Sequence, residues 1–344
     1  MLRTPIRKAI FLVLFGGLAI LSCLLFVPAH YSVPAISPRP GMQYWQLATG
    51  SKIAYNKIPA QGVKKPYPVI YLHGGPGGPL TSSRIELLRP LAADGYDVYL
   101  YDQVGSGYSS RLANIREYTA DRHRRDLAEI VRQTGAEKVI LMGQSWGAIL
   151  ATLYAAADTG RVAGIIFTSP GPIQPIRREL RDAAPPDSLH LRPPLYTNAE
   201  GSRQAATLRT SFVTFLAQRF GWKLAGDDEM DAFYTKLAGL TNRSTVCDTA
   251  RSPAAEGGGG FYVQVMTVAS FAGVADPRPA LRHATFPVLV MKGTCDNQPW
   301  GYTAEYLDVF PNHRLAVIPG AGHSISVEQP AAFIDTIREF LRNF

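Results

Sequence analysis

The sequence predicts an α/β fold, a mostly parallel sheet with helices on both faces and a mostly helical cap inserted into it. Three observations carry that expectation. Short apolar runs recur along the chain, several too apolar for a half-exposed strand; helical patterns separate most of them; and the alternation stops between Ser169 and Pro287 before it resumes. Strands buried on both faces and spaced by helices belong to a parallel sheet covered on each side. A stretch that long without a core strand exceeds an ordinary connection and reads as an insertion.

The N-terminal segment, residues 1–40, comes first. Arg3, Arg7 and Lys8 precede an uncharged apolar run from Ala9 to Val27, and a Pro-rich stretch follows from Pro28 to Pro40. Such a run is close to the roughly 20 residues that cross a hydrocarbon core as a helix. A lone uncharged helix with basic flanks has no polar face to show water, which argues against a soluble helix. The segment therefore reads as a signal peptide cut after Ala29, or as a retained signal anchor, followed by a Pro-rich linker. The leading cations stay cytoplasmic, so the rest of the chain is exported: membrane-anchored and facing away from the cytoplasm, or periplasmic or secreted.

The core is expected over residues 41–170 and 286–344, and the cap over 171–285. Met42 to Ile58 reads as a hairpin with Ala48, Thr49, Gly50 and Ser51 in its turn. Strands follow at Pro68–Leu72, Asp97–Tyr101, Lys138–Met142, Val162–Phe167, Val288–Met291 and Arg314–Ile318. Helical periodicity marks Thr119–Gln133, Ala148–Ala157, Tyr302–Val309 and Ala331–Leu341. Within the cap, Gln204–Leu240 and Tyr262–Phe271 are helix-prone and Gly257–Gly260 breaks the pattern.

Composition narrows the function classes. With 46% hydrophobic and 18% charged residues the chain has enough apolar surface for a large core, so disorder is not the default. The net charge of +8 is spread out, and its densest cluster, Arg122 to Arg125, sits among Asp121, Asp126 and Glu129; this is a solvated helix face, and nucleic acid is not implied as a partner. The three cysteines, Cys23, Cys247 and Cys295, show no metal-ligand spacing. Neither a metal nor a cofactor is expected. In an oxidising compartment Cys247 and Cys295 either form a disulfide between cap and core or remain two buried thiols.

The chemistry-bearing residues stand at strand ends. Gly143, Gln144, Ser145, Trp146, Gly147 is G-x-S-x-G directly after an apolar strand and before a helix, the context in which a sharp turn presents a serine hydroxyl above a sheet. A serine needs a base to take its proton. Reacting groups of a parallel sheet gather beyond the carboxyl ends of its strands. His313 precedes its strand, whereas His323 follows one, so His323 is the candidate base. Asp296 follows the penultimate strand and keeps the chain order serine, acid, histidine. After Phe167 comes Thr168, Ser169, Pro170, Gly171, with no carboxylate to compete. His73, Gly74, Gly75, Pro76, Gly77, Gly78 forms a loop whose backbone can approach an oxyanion; since Pro76 cannot donate, the candidate donors are the amides of Gly75 and Trp146. The turn from Asp102 to Ser109 shapes the pocket rim without an assigned chemical role.

Taken together, the HGGPG loop, the DQVGSGYS turn, the GQSWG elbow, the GTCD loop and the GAGHS loop resemble the proline iminopeptidase (prolyl aminopeptidase) branch of the α/β-hydrolase superfamily. The resemblance implies an α/β-hydrolase fold, a metal-free serine hydrolase with Ser145, Asp296 and His323 as its triad, and release of an N-terminal residue, often proline, from a peptide or arylamide through an acyl-enzyme. The chain departs from typical members in two places. Val104 stands where they have Arg, and the cap lacks their Trp-x-x-Trp-Glu segment, whose Glu helps to hold the substrate amine. Glu200, Glu229, Glu256, Asp227, Asp228 and Asp248 are the remaining acidic candidates for that task. A carboxylesterase or lactonase acting on a small ester with the same triad, and a non-catalytic binding protein on the same fold, are the competing expectations. The expected partner is a small molecule or short peptide, together with the membrane if the N-terminal segment is retained; the oligomeric state stays open.

Overall fold

In the computed structural model, which describes residues 4–344 and side chains from Lys8 onward, eight strands form one sheet. Arg3 and the Arg7 side chain lie outside the described residues. β1 (Gln43–Gln46) and β2 (Lys52–Ile58) make the antiparallel hairpin, and β2 pairs antiparallel with β4. β3 (Val69–Leu72), β4 (Val98–Tyr101), β5 (Val139–Gln144), β6 (Val162–Thr168), β7 (Val288–Gly293) and β8 (His313–Ile318) are mutually parallel, and the strand order is β1-β2-β4-β3-β5-β6-β7-β8. β3, β4 and β7 are buried at every position. Successive side chains of a strand point to opposite faces, so each strand feeds two cores. Ile70, Leu72, Leu141, Phe167 and Val290 pack on one face, and Val69, Tyr71, Ile140, Met142, Ile166, Leu289 and Met291 on the other.

The helices are α1 (Thr4–Phe26), α2 (Ser82–Ala93), α3 (Ala120–Gln133), α4 (Trp146–Ala157), α5 (Asn198–Ala205), α6 (Leu208–Phe220), α7 (Asp227–Thr241), α8 (Phe261–Ala269), α9 (Arg278–Leu281), α10 (Trp300–Val309), α11 (Ile325–Glu328) and α12 (Pro330–Leu341). α2 is absent from the sequence reading because Pro90 in its last turn looks like a breaker. Its buried stripe of Ile85, Leu88, Leu91 and Ala92 and its Thr81 cap hold it nevertheless. The basic cluster of α3 is only partly the solvated face expected: Arg124 and Arg125 pair with Asp121 at the surface, whereas Arg122, His123 and Asp126 are buried, Arg122 and Asp126 paired with each other and bonded to Ser51. Between β6 and β7 lie α5 to α9 and short 3-10 turns, with no strand among the described residues.

Lys8–Phe26 is long and apolar enough to cross a membrane, and no residue of it is buried among the described residues: Phe11, Leu12, Val13 and Leu14 are all exposed, and only its last turn meets the body, with Phe26 edge-on to Phe212. Its end is fastened to the body. Arg209 donates to the Leu25 carbonyl (2.6 Å) and pairs with Glu229, which accepts the Ala29 N–H at 3.0 Å. The Pro-rich stretch after it is not a free tether along its whole length, because Arg39 is buried and paired with the buried Asp102. Cys247 and Cys295 form a disulfide, which resolves the open alternative and joins the helical insertion to the loop after β7.

Candidate active site

Ser145 stands between the end of β5 and the start of α4 with φ 54° and ψ −113°, a left-handed conformation that costs a non-glycine residue roughly 1–3 kcal/mol. The surroundings impose it. A Cβ on Gly143 would lie 2.4 Å from the Gly147 carbonyl oxygen, and one on Gly147 would lie 2.0 Å from that of Leu72. Strand β5, helix α4 and the end of β3 therefore meet at van der Waals distance only because both flanking positions lack a side chain.

The loops after β7 and β8 bring Asp296 and His323 together, with Nδ1 of His323 at 2.8 Å from Oδ1 of Asp296. Burial by itself raises the Asp296 carboxyl, but the Lys292 ammonium at 3.3 Å, the His323 ring and the Gln298 N–H at 3.0 Å outweigh it and hold the group below the usual carboxylate range. An ionised carboxylate only accepts hydrogen bonds, so Nδ1 carries the His323 proton and Nε2 presents its lone pair. Ser145 and His323 line one cavity of about 530 Å³. Among the described residues no hydrogen bond joins Ser145 Oγ to the His323 ring.

Two supporting residues escape the sequence reading. Lys292 is buried in β7 and donates to the Gln298 carbonyl at 2.8 Å as well as facing Asp296; its signal is a lone cation in an apolar strand, one helical turn's worth of residues before the acid. Glu328, buried in α11, accepts the Gly322 N–H (2.7 Å) next to His323 and the Cys247 N–H (2.9 Å) of the insertion. Together with the Ser324 N–H to Thr245 carbonyl bond at 2.7 Å, it ties the histidine loop to the insertion.

The His73–Gly78 loop follows β3 and backs onto the elbow, where a Cβ on Gly74 would lie 3.3 Å from that of Ser145. Neither the Gly75 nor the Trp146 N–H has an acceptor among the described hydrogen bonds. Gln103, in the turn that carries no chemical role in the sequence reading, connects the two. Its N–H donates to His73 Nε2 (2.9 Å), its side-chain NH₂ to the His73 carbonyl (3.0 Å), and its Oε1 accepts the Trp146 indole N–H at 2.7 Å. Burial lowers the His73 pKa, so the ring stays neutral, with Nδ1 donating to the Gly74 carbonyl at 2.9 Å. The Trp146 indole also stacks on Phe271.

A family model for the alpha/beta hydrolase fold matches residues 67–330. The chain belongs to the α/β-hydrolase family. Curated relatives of this α/β hydrolase include the proline iminopeptidase of Heyndrickxia coagulans, 37% identical over 122 residues, which is 36% of this chain and 41% of that protein. A second, from Clostridioides difficile, is 35% identical over 101 residues, 29% of this chain and 34% of that protein. The chain thus matches well under half the length of these relatives. Solved structures of like fold include an esterase from Rhodococcus sp. ECU1013 (TM-score 0.59, 19% identity, covering 88% of this chain and 98% of that one). A thermophilic esterase from Thermogutta terrifontis aligns with TM-score 0.56 at 19% identity, over 92% of this chain and 99% of that one.

The insertion supplies much of the cavity wall of this α/β hydrolase, through Asn198, Tyr234, Leu237, Asn242 and Glu256 among others. Of the six acidic candidates for an amine partner, Glu256 alone lines the cavity, and burial raises its pKa. Glu200 closes a capping box with Thr197, Glu229 is paired with Arg209, Asp227 with Lys223, and Asp248 caps a 3-10 turn.

Because Asp296 is held below its ordinary pKa, its ionisation stabilises the folded chain at neutral pH, and that contribution is lost as the pH falls through and below the usual carboxylate range. Lys292→Met leaves the buried carboxylate with less compensation and should cost about 3 kcal/mol at pH 7, with a smaller cost at pH 3. Urea unfolding at the two pH values checks this; equal stability of variant and wild type at pH 7 contradicts it.

Proposed function

We propose that the protein is a serine hydrolase working through an acyl-enzyme, with Ser145, His323 and Asp296 as its triad. The observation that carries this reading is the buried Asp296–His323 pair opening onto the same cavity as the strained Ser145 elbow. In this mechanism His323 Nε2 takes the proton from Ser145 Oγ as the oxygen attacks the substrate carbonyl. The Gly75 and Trp146 N–H groups receive the oxyanion, and each contributes a few kcal/mol in the transition state, on the order of 3. His323 then gives its proton to the departing amine or alcohol, and water repeats the sequence to release the acid.

The substrate reading is an aminopeptidase of prolyl aminopeptidase type, releasing an N-terminal residue from short peptides. It is supported by the curated relatives named above and by Glu256, a carboxylate in the cavity with no salt bridge among the described residues and suited to a protonated amine. The same triad also cleaves carboxylic esters or lactones, a second reading favoured by Val104 in place of the resembled family's arginine. We further propose that α1 is a signal or membrane anchor that exports the body of the protein, on the strength of its bare apolar surface.

Ser145→Ala should lower turnover by at least about a thousandfold on every substrate cleaved, in a panel of prolyl and other aminoacyl arylamides beside short-chain aryl esters. Retention of most activity would refute the mechanism. Within the panel, Glu256→Gln should raise KM for substrates bearing a free amine more than for esters; an equal effect on both denies Glu256 the amine. For the N-terminus, mass measurement of the protein from membrane and soluble fractions should find it intact in the first or shortened near Ala29 in the second, and an intact protein confined to the soluble cytoplasmic fraction would contradict export.

A further inference from the structure

Arg84 is a cation in an unusual place. It lies in the first turn of α2, three residues after the Thr81 cap, where the positive end of the helix dipole disfavours a positive side chain. Its side chain lines the cavity beside Gln144 and Ser145, and it has no salt bridge among the described residues. The acidic neighbour on its own helix, Glu86, is paired with Arg89. What holds the guanidinium is neutral: the Gln144 Oε1, which accepts from Nη2 at 3.3 Å and from the Tyr71 hydroxyl at 2.7 Å, and the rings of Tyr71 (5.3 Å) and Phe333 (5.8 Å). A guanidinium clasped by ring faces and an amide keeps its remaining donors free. The Ser82 and Ser83 N–H groups at the start of α2 have no acceptor among the described hydrogen bonds, and Thr81 and Ser83 line the same cavity. The cavity wall therefore presents a positive charge and a helix N-terminus side by side, the arrangement that receives an anion.

We propose that Arg84, with the first turn of α2, is the subsite for a carboxylate on the leaving-group side of the substrate. The protein would then select short peptides ending in a free carboxylate. The assignment to the leaving-group side rests on the aminopeptidase reading. There, the N-terminal residue is the acyl part and its amine is at Glu256, so the carboxylate of a dipeptide belongs to the residue released. Arg84 and Glu256 line one cavity without pairing with each other, and a zwitterionic peptide offers a partner to both. Arg84 acts in specificity and takes no part in the bond-making steps.

The test compares kcat/KM for a prolyl dipeptide with that for its C-terminal amide, and for 4-acetoxybenzoate with that for its methyl ester, using the full chain in detergent. Wild type should favour the carboxylate member of each pair by about tenfold or more, the range of a charge-assisted hydrogen bond. Arg84→Met should bring that ratio close to one, mainly through KM, and Arg84→Lys should keep part of it. If Arg84→Met does not fold, as judged by circular dichroism, Arg84→Gln gives the same comparison. A wild-type ratio near one in both pairs overturns the proposal, as does a ratio that survives loss of the guanidinium. If the esters are cleaved and the peptides are not, the aminopeptidase reading fails, while the ester pair still decides whether Arg84 binds a carboxylate.

Discussion

A carboxylate buried at the rim of a sheet must be compensated, and Asp296 is compensated from three sides. Lys292 approaches from its own strand, the Gln298 N–H from its own loop and the His323 ring from the loop after the neighbouring strand. Removing a charge from water costs several kcal/mol, on the order of 5, unless partners of this kind are in place. That requirement fixes the ring orientation of His323: the nitrogen facing Asp296 must donate, so the other must be the one with a lone pair. The chemistry proposed for Ser145 depends on this single consequence.

The rest of the molecule keeps that pair in register with the serine. A parallel sheet brings the ends of β3, β5, β7 and β8 to one edge, and the glycines at 143 and 147 let the elbow sit directly against β3. Gln103 links the His73 loop to Trp146, so the two candidate oxyanion donors share one buried network. On the other flank, Glu328 and the Cys247–Cys295 disulfide fasten the insertion to the histidine and acid loops. The insertion is thereby joined to the very loops that hold Asp296 and His323, and it contributes Glu256 to the cavity wall.

Much of this is legible in the sequence, for physical reasons. The apolar runs from β3 to β7 announce strands buried on both faces, the edge strand β8 being largely open, and the position of a polar residue just after a strand tells which sheet edge it occupies; that is why Asp296 and His323 can be read as neighbours although they lie 27 positions apart. What is not legible depends on three-dimensional partners. Lys292 and Glu328 are ordinary charged residues until the fold gives them a buried carboxylate and four backbone-facing bonds' worth of work at loop junctions. Gln103 sits in a turn that reads as glycine-shaped scaffolding, and α2 hides behind Pro90, which takes Arg84 out of view with it. Whether Cys247 and Cys295 pair is a question of distance that composition leaves undecided.

The most direct measurement is the rate of covalent labelling of Ser145 by a fluorophosphonate, followed by mass spectrometry of the peptide that contains it, in wild type and in Asp296→Asn and His323→Ala. Stoichiometric labelling of Ser145 in wild type, slowed by at least about a thousandfold in both variants, is the result predicted from a hydroxyl activated through the buried pair. No labelling of Ser145 in wild type, or labelling at an undiminished rate in the variants, would contradict it.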